Sequence, residues 1–234
     1  MASPTIHRLV PDDLAHGTTG RATLQLHLAR YEFAAAQARG RVLDLACGVG
    51  YGSAHLAECD VTSVVGVDLD PAAIAYANAR YARDNVRYVH SNADAFRDPD
   101  GFDTIVSLET LEHVADPFDV FDHLVGMLRP NGMLIASVPT TPSVDVNPYH
   151  LHDFTARSFR AMGARHHLHE IDRLVQIQPF GVFDVMSRRE PRMSDMRSHL
   201  LAYYLSHPRA AITRMVATLR YGFTNRYLTI AWRR

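Results

Sequence analysis

Apolar residues along the chain fall into short continuous runs separated by amphipathic stretches. Residues 21–39 carry Leu24, Leu28, Tyr31 and Ala35 at helical spacing, which predicts an amphipathic helix ended by Gly40 as its C′ residue. Val42–Ala46 (VLDLA) is a short apolar run of the kind found in strands buried on both faces, and a glycine cluster and a helix around Ser53–Ala57 follow it. The pattern then repeats. Thr62–Val67 reads as a strand, and Asp70 and Pro71 open a helix as N-cap and first helical residue. Val86–His90 and Phe102–Leu108 read as the third and fourth strands. Phe118–Leu128, with Val120, Phe121, Leu124, Val125 and Leu128, reads as a helix stopped by Pro130 and Asn131-Gly132, and Met133–Val138 reads as a fifth strand.

Strands alternating with helices at this spacing predict a doubly wound α/β fold with a parallel sheet and helices on both faces. After Pro139 the rhythm changes. A Pro/Thr/Asn-rich loop runs to about Pro148, Thr155–Met162 has a helical pattern, and Leu168–Ile177 reads as a sixth strand. Residues 192–221 are helical in pattern, and Arg226–Trp232 alternates as a last strand. No repeat or low-complexity segment interrupts the chain. The expectation is one domain over 1–234, with core motifs at about 20–180, a helical insertion at about 181–222, and a last, antiparallel strand at about 226–232 completing seven. The insertion carries Leu200, Leu201, Tyr204, Leu205, Ile212, Met215, Val216 and Leu219, more apolar surface than a short hairpin must bury. It is expected to form a lid or the face of a homodimer.

Composition narrows the functional classes. Hydrophobic residues make up 47% and charged residues 21%, so the chain is neither disordered nor fibrous. The net charge of −1 speaks against nucleic acid or an acidic membrane as general partners. The arginines at 214, 220, 226, 233 and 234 read as a solvated helical face and tail. Cys47 and Cys59 form no CxxC pair and no disulfide framework. No apolar stretch approaches the roughly 20 residues of a membrane span. The opening MASPTIHRLV lacks a basic region followed by a long apolar run, which predicts a cytoplasmic protein.

The glycine cluster is the first chemical signal. Asp44-Leu45-Ala46-Cys47-Gly48-Val49-Gly50-Tyr51-Gly52 follows a buried strand and opens a helix, and glycine lets a ligand approach the bare backbone. Asp68 lies twenty residues after Gly48, at the end of the second strand, where an acid can bond both hydroxyls of a ribose. The GxGxG register lacks the third glycine of a dinucleotide turn, and Asp44 puts a carboxylate where a pyrophosphate would not want one. These two features disfavour a nicotinamide oxidoreductase. A cofactor with a sulfonium and an ammonium group accepts Asp44 readily.

These segments together resemble the class I S-adenosylmethionine-dependent methyltransferases over roughly residues 20–180. VLDLACGVGYGS resembles their first motif, GVDLDPAAI their second, and Asn92-Ala93-Asp94-Ala95-Phe96 their third, with Ala93 where glycine is common. FDTIVSLETLEHVADP and LRPNGMLIASVP resemble the fourth strand, its loop and the fifth strand, and HLARYEFA a helix packed over the methionine end of the cofactor. The resemblance implies a seven-stranded Rossmann-like methyltransferase sheet binding S-adenosylmethionine. The cofactor residues it implies are Arg30, Tyr31, Asp44, Gly48, Gly50, Asp68, Leu69, Asp94, Ala95 and Leu108.

Two further segments carry candidate chemistry. In Glu109-Thr110-Leu111-Glu112-His113, one helical turn would place Glu109, Glu112 and His113 on one face as ligands of a divalent cation such as Mg2+. Quinone-pathway O-methyltransferases carry a similar ExxEH associated with metal. The competing reading is a wall beside the cofactor, with Glu112 and His113 bonded to each other and to the backbone. Asn147–Phe154 (NPYHLHDF) resembles the NPxHxxxF stretch of methyltransferases of sugar, polysaccharide and antibiotic pathways. There His150 is the candidate general base, His152 a lesser one, and Asp153 a group that could orient either. His166, His167 and His169 read as a solvated strand edge.

The expectation is therefore an O-methyltransferase acting on a hydroxyl of a sugar or oligosaccharide, metal-assisted or not, with His150, His113 and Glu112 at the reacting centre. The alternatives are a phenolic, quinone-type or antibiotic small-molecule acceptor, marked by apolar lining of residues 140–160, and a cofactor-binding protein without catalysis.

Overall fold

A computed structural model of the chain describes residues 18–179, 197 and 199–234. The first part of the expected insertion, 181–196, lies outside the described residues, apart from which every expected strand is present. The strands are β1 (Gly40–Leu45), β2 (Val61–Asp68), β3 (Val86–His90), β4 (Phe102–Leu108), β5 (Leu128–Pro139), β6 (His169–Pro179) and β7 (Thr224–Arg233). The helices are α1 (Thr18–Ala35), α2 (Tyr51–Leu56), α3 (Pro71–Tyr81), α4 (Pro117–Gly126), α5 (Ala156–Arg165), α6 (Leu200–Ser206) and α7 (Pro208–Tyr221).

The strands form one seven-stranded sheet in the order β3-β2-β1-β4-β5-β7-β6. The first five run parallel, while β7 is antiparallel to both β5 and β6. The continuous apolar runs have the expected cause: both faces of the central strands are covered. Leu43, Leu45, Ile105, Leu134 and Trp232 pack on one side with α4 and α5. Val42, Val106, Ile135 and Ala231 pack on the other with Tyr31 and Ala34 of α1. The strand order reverses between β1 and β4, which opens a crevice at their carboxyl ends.

Local chemistry sets the helix starts. Asp70 caps α3 by accepting from the Ala72 amide at 2.9 Å, with Pro71 as first helical residue. Thr155 and Ser158 form a reciprocal capping box on α5. The helix ends differ from the sequence reading. α1 stops at Ala35 and α4 at Gly126. Leu128 pairs with Phe102, so it begins β5, and the Asn131-Gly132 turn is absorbed inside that strand with Asn131 at φ 61°. The helical pattern at 192–221 lies partly outside the described residues, and its described part is split, because Pro208 cannot continue α6 and starts α7 instead. Asp145, buried in the loop after β5, ties these helices to the core. It accepts from Tyr204 at 2.6 Å and from Arg214 Nε at 2.8 Å.

Candidate active site

The crevice begins at the glycine turn. After β1 the backbone turns with Gly48 at φ 57° and Gly50 at φ 88°. The two glycines serve different ends. A methyl group on Gly48 would meet nothing within 4 Å, so its bare backbone faces open space that a ligand can enter. A methyl on Gly50 would lie 2.6 Å from Ala77, so only glycine lets the turn pack this closely against α3. Asp68, at the end of β2, fixes the turn by accepting from the Gly48 amide at 2.8 Å and the Asp70 amide at 2.9 Å. Beside it Leu69 is exposed, as are Asp94 and Ala95 in the loop after β3. Leu108 is buried at the end of β4.

Asp44 is fully buried beneath the turn. It accepts from Ser53 at 2.6 Å and from the Tyr31 hydroxyl at 3.3 Å to each oxygen. Burial pushes its pKa up to about 7 against these hydrogen bonds, with the nearby Asp68 charge adding to the rise. Burial and Asp44 likewise raise the Tyr31 phenol well above its usual value. Tyr31 thus meets Asp44 through its hydroxyl. Arg30 differs from expectation. Its guanidinium donates to Gln176 of β6 at 2.9 Å, lies 4.9 Å from the centre of the Tyr227 ring, and is close enough to favour the ionised form of Glu112.

The second half of the site lies at the ends of β4 and β5. Residues 109–113 do not form the helical turn expected of them. Glu109 takes a left-handed conformation, φ 52°, and its carboxylate accepts from Ser137 at 2.8 Å. The groups brought together are instead Glu112, His113 and His150, whose ligand atoms lie within 4.8 Å of one another. Among the described residues, neither carboxylate oxygen of Glu112 has a hydrogen-bond partner. Burial, reinforced by the Glu109 charge, raises its pKa well above the usual carboxylate range. Its backbone carbonyl accepts from the Leu151 amide at 2.7 Å and the His152 amide at 3.3 Å, which fastens the histidine loop over it.

His113 Nδ1 lies 3.0 Å from the Tyr149 carbonyl oxygen. A carbonyl can only accept, so Nδ1 carries the proton and Nε2 presents its lone pair. The His150 ring meets His113 edge-to-face at 4.7 Å, and its Nδ1 lies 2.7 Å from the Ser143 hydroxyl. Burial lowers both imidazoles, His150 to about 3 with help from His113, so both are neutral near pH 7. His152 and Asp153 hold structure instead. His152 Nε2 donates to the carbonyls of Val114 and Ala115, and Asp153 accepts from the Ser143 and Val144 amides. Ser137, Ser143, Tyr149 and Gln176 were not singled out in the sequence. Each matters through a partner 28 or more residues away or through a loop contact, and small polar residues without periodicity give no signal of that.

Comparison with known proteins agrees with this geometry. Residues 43–136 match the family model described as a methyltransferase domain. Over this stretch the chain is similar to methyltransferase domains. It is 33% identical over 138 residues to a probable S-adenosylmethionine-dependent methyltransferase of Mycolicibacterium smegmatis, covering 56% of this chain and 52% of that protein. It is 34% identical over 102 residues to a mitochondrial ubiquinone biosynthesis O-methyltransferase of Schizosaccharomyces pombe, covering 42% and 37%. The chain thus spans about half the length, or less, of these curated relatives. The fold of the chain is similar to that of the N-methyltransferase NodS of Bradyrhizobium japonicum, solved with S-adenosyl-L-homocysteine. The TM-score is 0.63 at 17% identity, over 96% of this chain and 93% of that one.

Proposed function

We propose that the protein transfers the methyl group of S-adenosylmethionine to a hydroxyl oxygen of a sugar or glycan. Three features support this cofactor: Gly48 leaves open space, Asp68 is a carboxylate at the end of β2 that would meet a ribose, and Leu69, Asp94 and Ala95 are exposed where the adenine would lie. Asp44, buried and half-protonated near pH 7, suits a neighbouring cationic group. When bound, the cofactor supplies a strongly electrophilic methyl. The chain's own residues must then align an acceptor and take its proton.

The observation that carries the reading is the neutral histidine pair beside Glu112. His113 has its Nε2 lone pair set by the Tyr149 carbonyl, and that nitrogen is the one we assign to receive the hydroxyl proton as the oxygen attacks. His150 packs on it and anchors the loop through Ser143. Ser143, Asn147, Tyr149, His150 and His152 make this loop polar, which favours a sugar over a phenol or quinone-type acceptor.

A divalent cation is a second reading, favoured by the unpartnered oxygens of Glu112 and the clustering of three ligand atoms within 4.8 Å. Its ligands would be Glu112, His113 and His150, in place of the Glu109, Glu112 and His113 set read from the sequence. One carboxylate with two imidazoles suits manganese, iron or zinc better than magnesium. Incubation with labelled S-adenosylmethionine and a panel of glycosides and phenols, with and without chelator, tests both readings. Label on a glycoside oxygen, undiminished by chelator and lost in His113→Ala, is the expected result. Label on phenols alone moves the acceptor to the alternative class, and loss in chelator moves the chemistry to the cation. No transfer to any acceptor leaves only cofactor binding.

A further inference from the structure

α6 and α7 present an apolar face that nothing in the described structure covers. Leu201 and Leu205 on α6 are 76% and 78% exposed, and on α7 the exposure runs from 53% at Val216 to 81% at Leu219. Ile212, Met215, Val216 and Leu219 fall at i, i+3, i+4 and i+7, so they form one stripe along the helix. The opposite side of α7 is committed to the fold, through Arg214 on Asp145 and through buried Ala217. The stripe is therefore held outward rather than awaiting a place in the core.

Charge decides what such a face fits. No aspartate or glutamate occurs from Met196 to Arg234. Arg209 and Arg220, both exposed, lie about 60–80° around α7 from Ile212 and flank one edge of the stripe. A second copy packed antiparallel through the same surface would set arginine against arginine, and in either orientation it would find no acid on these helices to pair them. An apolar stripe bordered by cations is instead the pattern of a helix lying in a lipid interface, with its apolar side in the acyl boundary and its cations among anionic headgroups. The chain's net charge of −1 does not oppose this, because it averages over the whole molecule. A surface senses mainly charges within about 8 Å at physiological salt.

We infer that the α6–α7 face docks the protein onto an anionic lipid bilayer, lying on the surface without crossing it. Among the described residues no helix is long and apolar enough to span a membrane. The inference does not depend on which acceptor is methylated.

Flotation of the full chain tests it, with vesicles of phosphatidylcholine alone and of phosphatidylcholine mixed with an equal amount of phosphatidylglycerol. The expected result is at least about ten-fold more protein on the anionic vesicles, declining as salt is raised. Arg209→Glu with Arg220→Glu should lower that binding by about twenty-fold or more, at about five-fold per arginine near the surface. Ile212→Ser with Leu219→Ser should remove binding while cofactor affinity and the thermal midpoint stay unchanged, since these side chains touch neither core nor crevice. Equal partition onto both vesicle types, or onto neither, would overturn the inference. So would a concentration-dependent dimer in sedimentation velocity that Leu219→Ser dissolves, which would assign the face to a second copy.

Discussion

Asp44 is a buried acid whose carboxyl is half-protonated near pH 7 in the ligand-free protein, mainly through desolvation. Its folded pKa lies above the unfolded value near 4, so its contribution to stability is largest in acid and is lost as pH rises towards about 7. A cationic cofactor reverses the preference by favouring the carboxylate. Cofactor affinity should therefore rise about ten-fold from about pH 6 to about pH 8, with proton release on binding at the lower pH. Asp44→Asn should flatten that profile in calorimetry across buffers of different ionisation enthalpy. If Asp68 bonds the ribose as proposed, Asp68→Ala should weaken the cofactor at least ten-fold, from charge-assisted hydrogen bonds of about 1.5–3 kcal/mol each. Unchanged affinity in that variant would remove the acid from the cofactor site. His113→Ala should lower the turnover rate by about 10²–10⁴ with little change in cofactor affinity, as measured by single-turnover transfer. The glycine turn and Asp68 were legible in the sequence because their geometry is local, a strand end twenty residues from a turn. The meeting of His113 with His150 was not. It depends on a left-handed Glu109 and on a loop fastened to the Glu112 carbonyl, neither of which a helical reading of 109–113 contains.

At the level of elements, the periodic signal located strands and helices well and their ends poorly. Leu128 fits the apolar face of α4 by spacing, yet its pairing with Phe102 draws it into β5. The helical pattern of 192–221 runs through His207-Pro208, where the chain starts a new helix. What positions α7 is a polar clamp. Asp145 is 4% exposed and receives Arg214 and Tyr204 together. Removing the arginine leaves a buried carboxylate with one hydroxyl partner. Breaking a fully buried pair costs about 3–5 kcal/mol, and the partial exposure of Arg214 brings the expectation to about 2–3 kcal/mol. Arg214→Ala should therefore lower the thermal midpoint and speed proteolysis within α6 and α7. An unchanged melt and digest would mean that α7 is held by its apolar contacts alone.

For the molecule as a whole, the sequence announced an α/β sheet through its alternating units. It also placed a last strand antiparallel, although no local feature reveals that this strand lies between β5 and β6. Trp232 shows what that placement secures. It is 1% exposed, meets Phe159 and Phe121 edge-to-face at 5.0 and 5.6 Å, and lies against Gly163 of α5. Trp232→Ala should cost about 3–5 kcal/mol in denaturant unfolding, the range for emptying a large core site. The same placement imposes an order on biosynthesis. Each of β2 to β5 leaves the ribosome after a strand it pairs with: β2 after β1, β3 after β2, β4 after β1, and β5 after β4. Among the described strands, β6 pairs with β7 alone and is made before it. Roughly 45 residues separate Pro179 from Thr224, which at ~5–20 residues per second is several seconds of synthesis. Through that interval β6 has no strand to pair with, and the edge of β5 that β7 later covers stays open to a chaperone or another nascent chain.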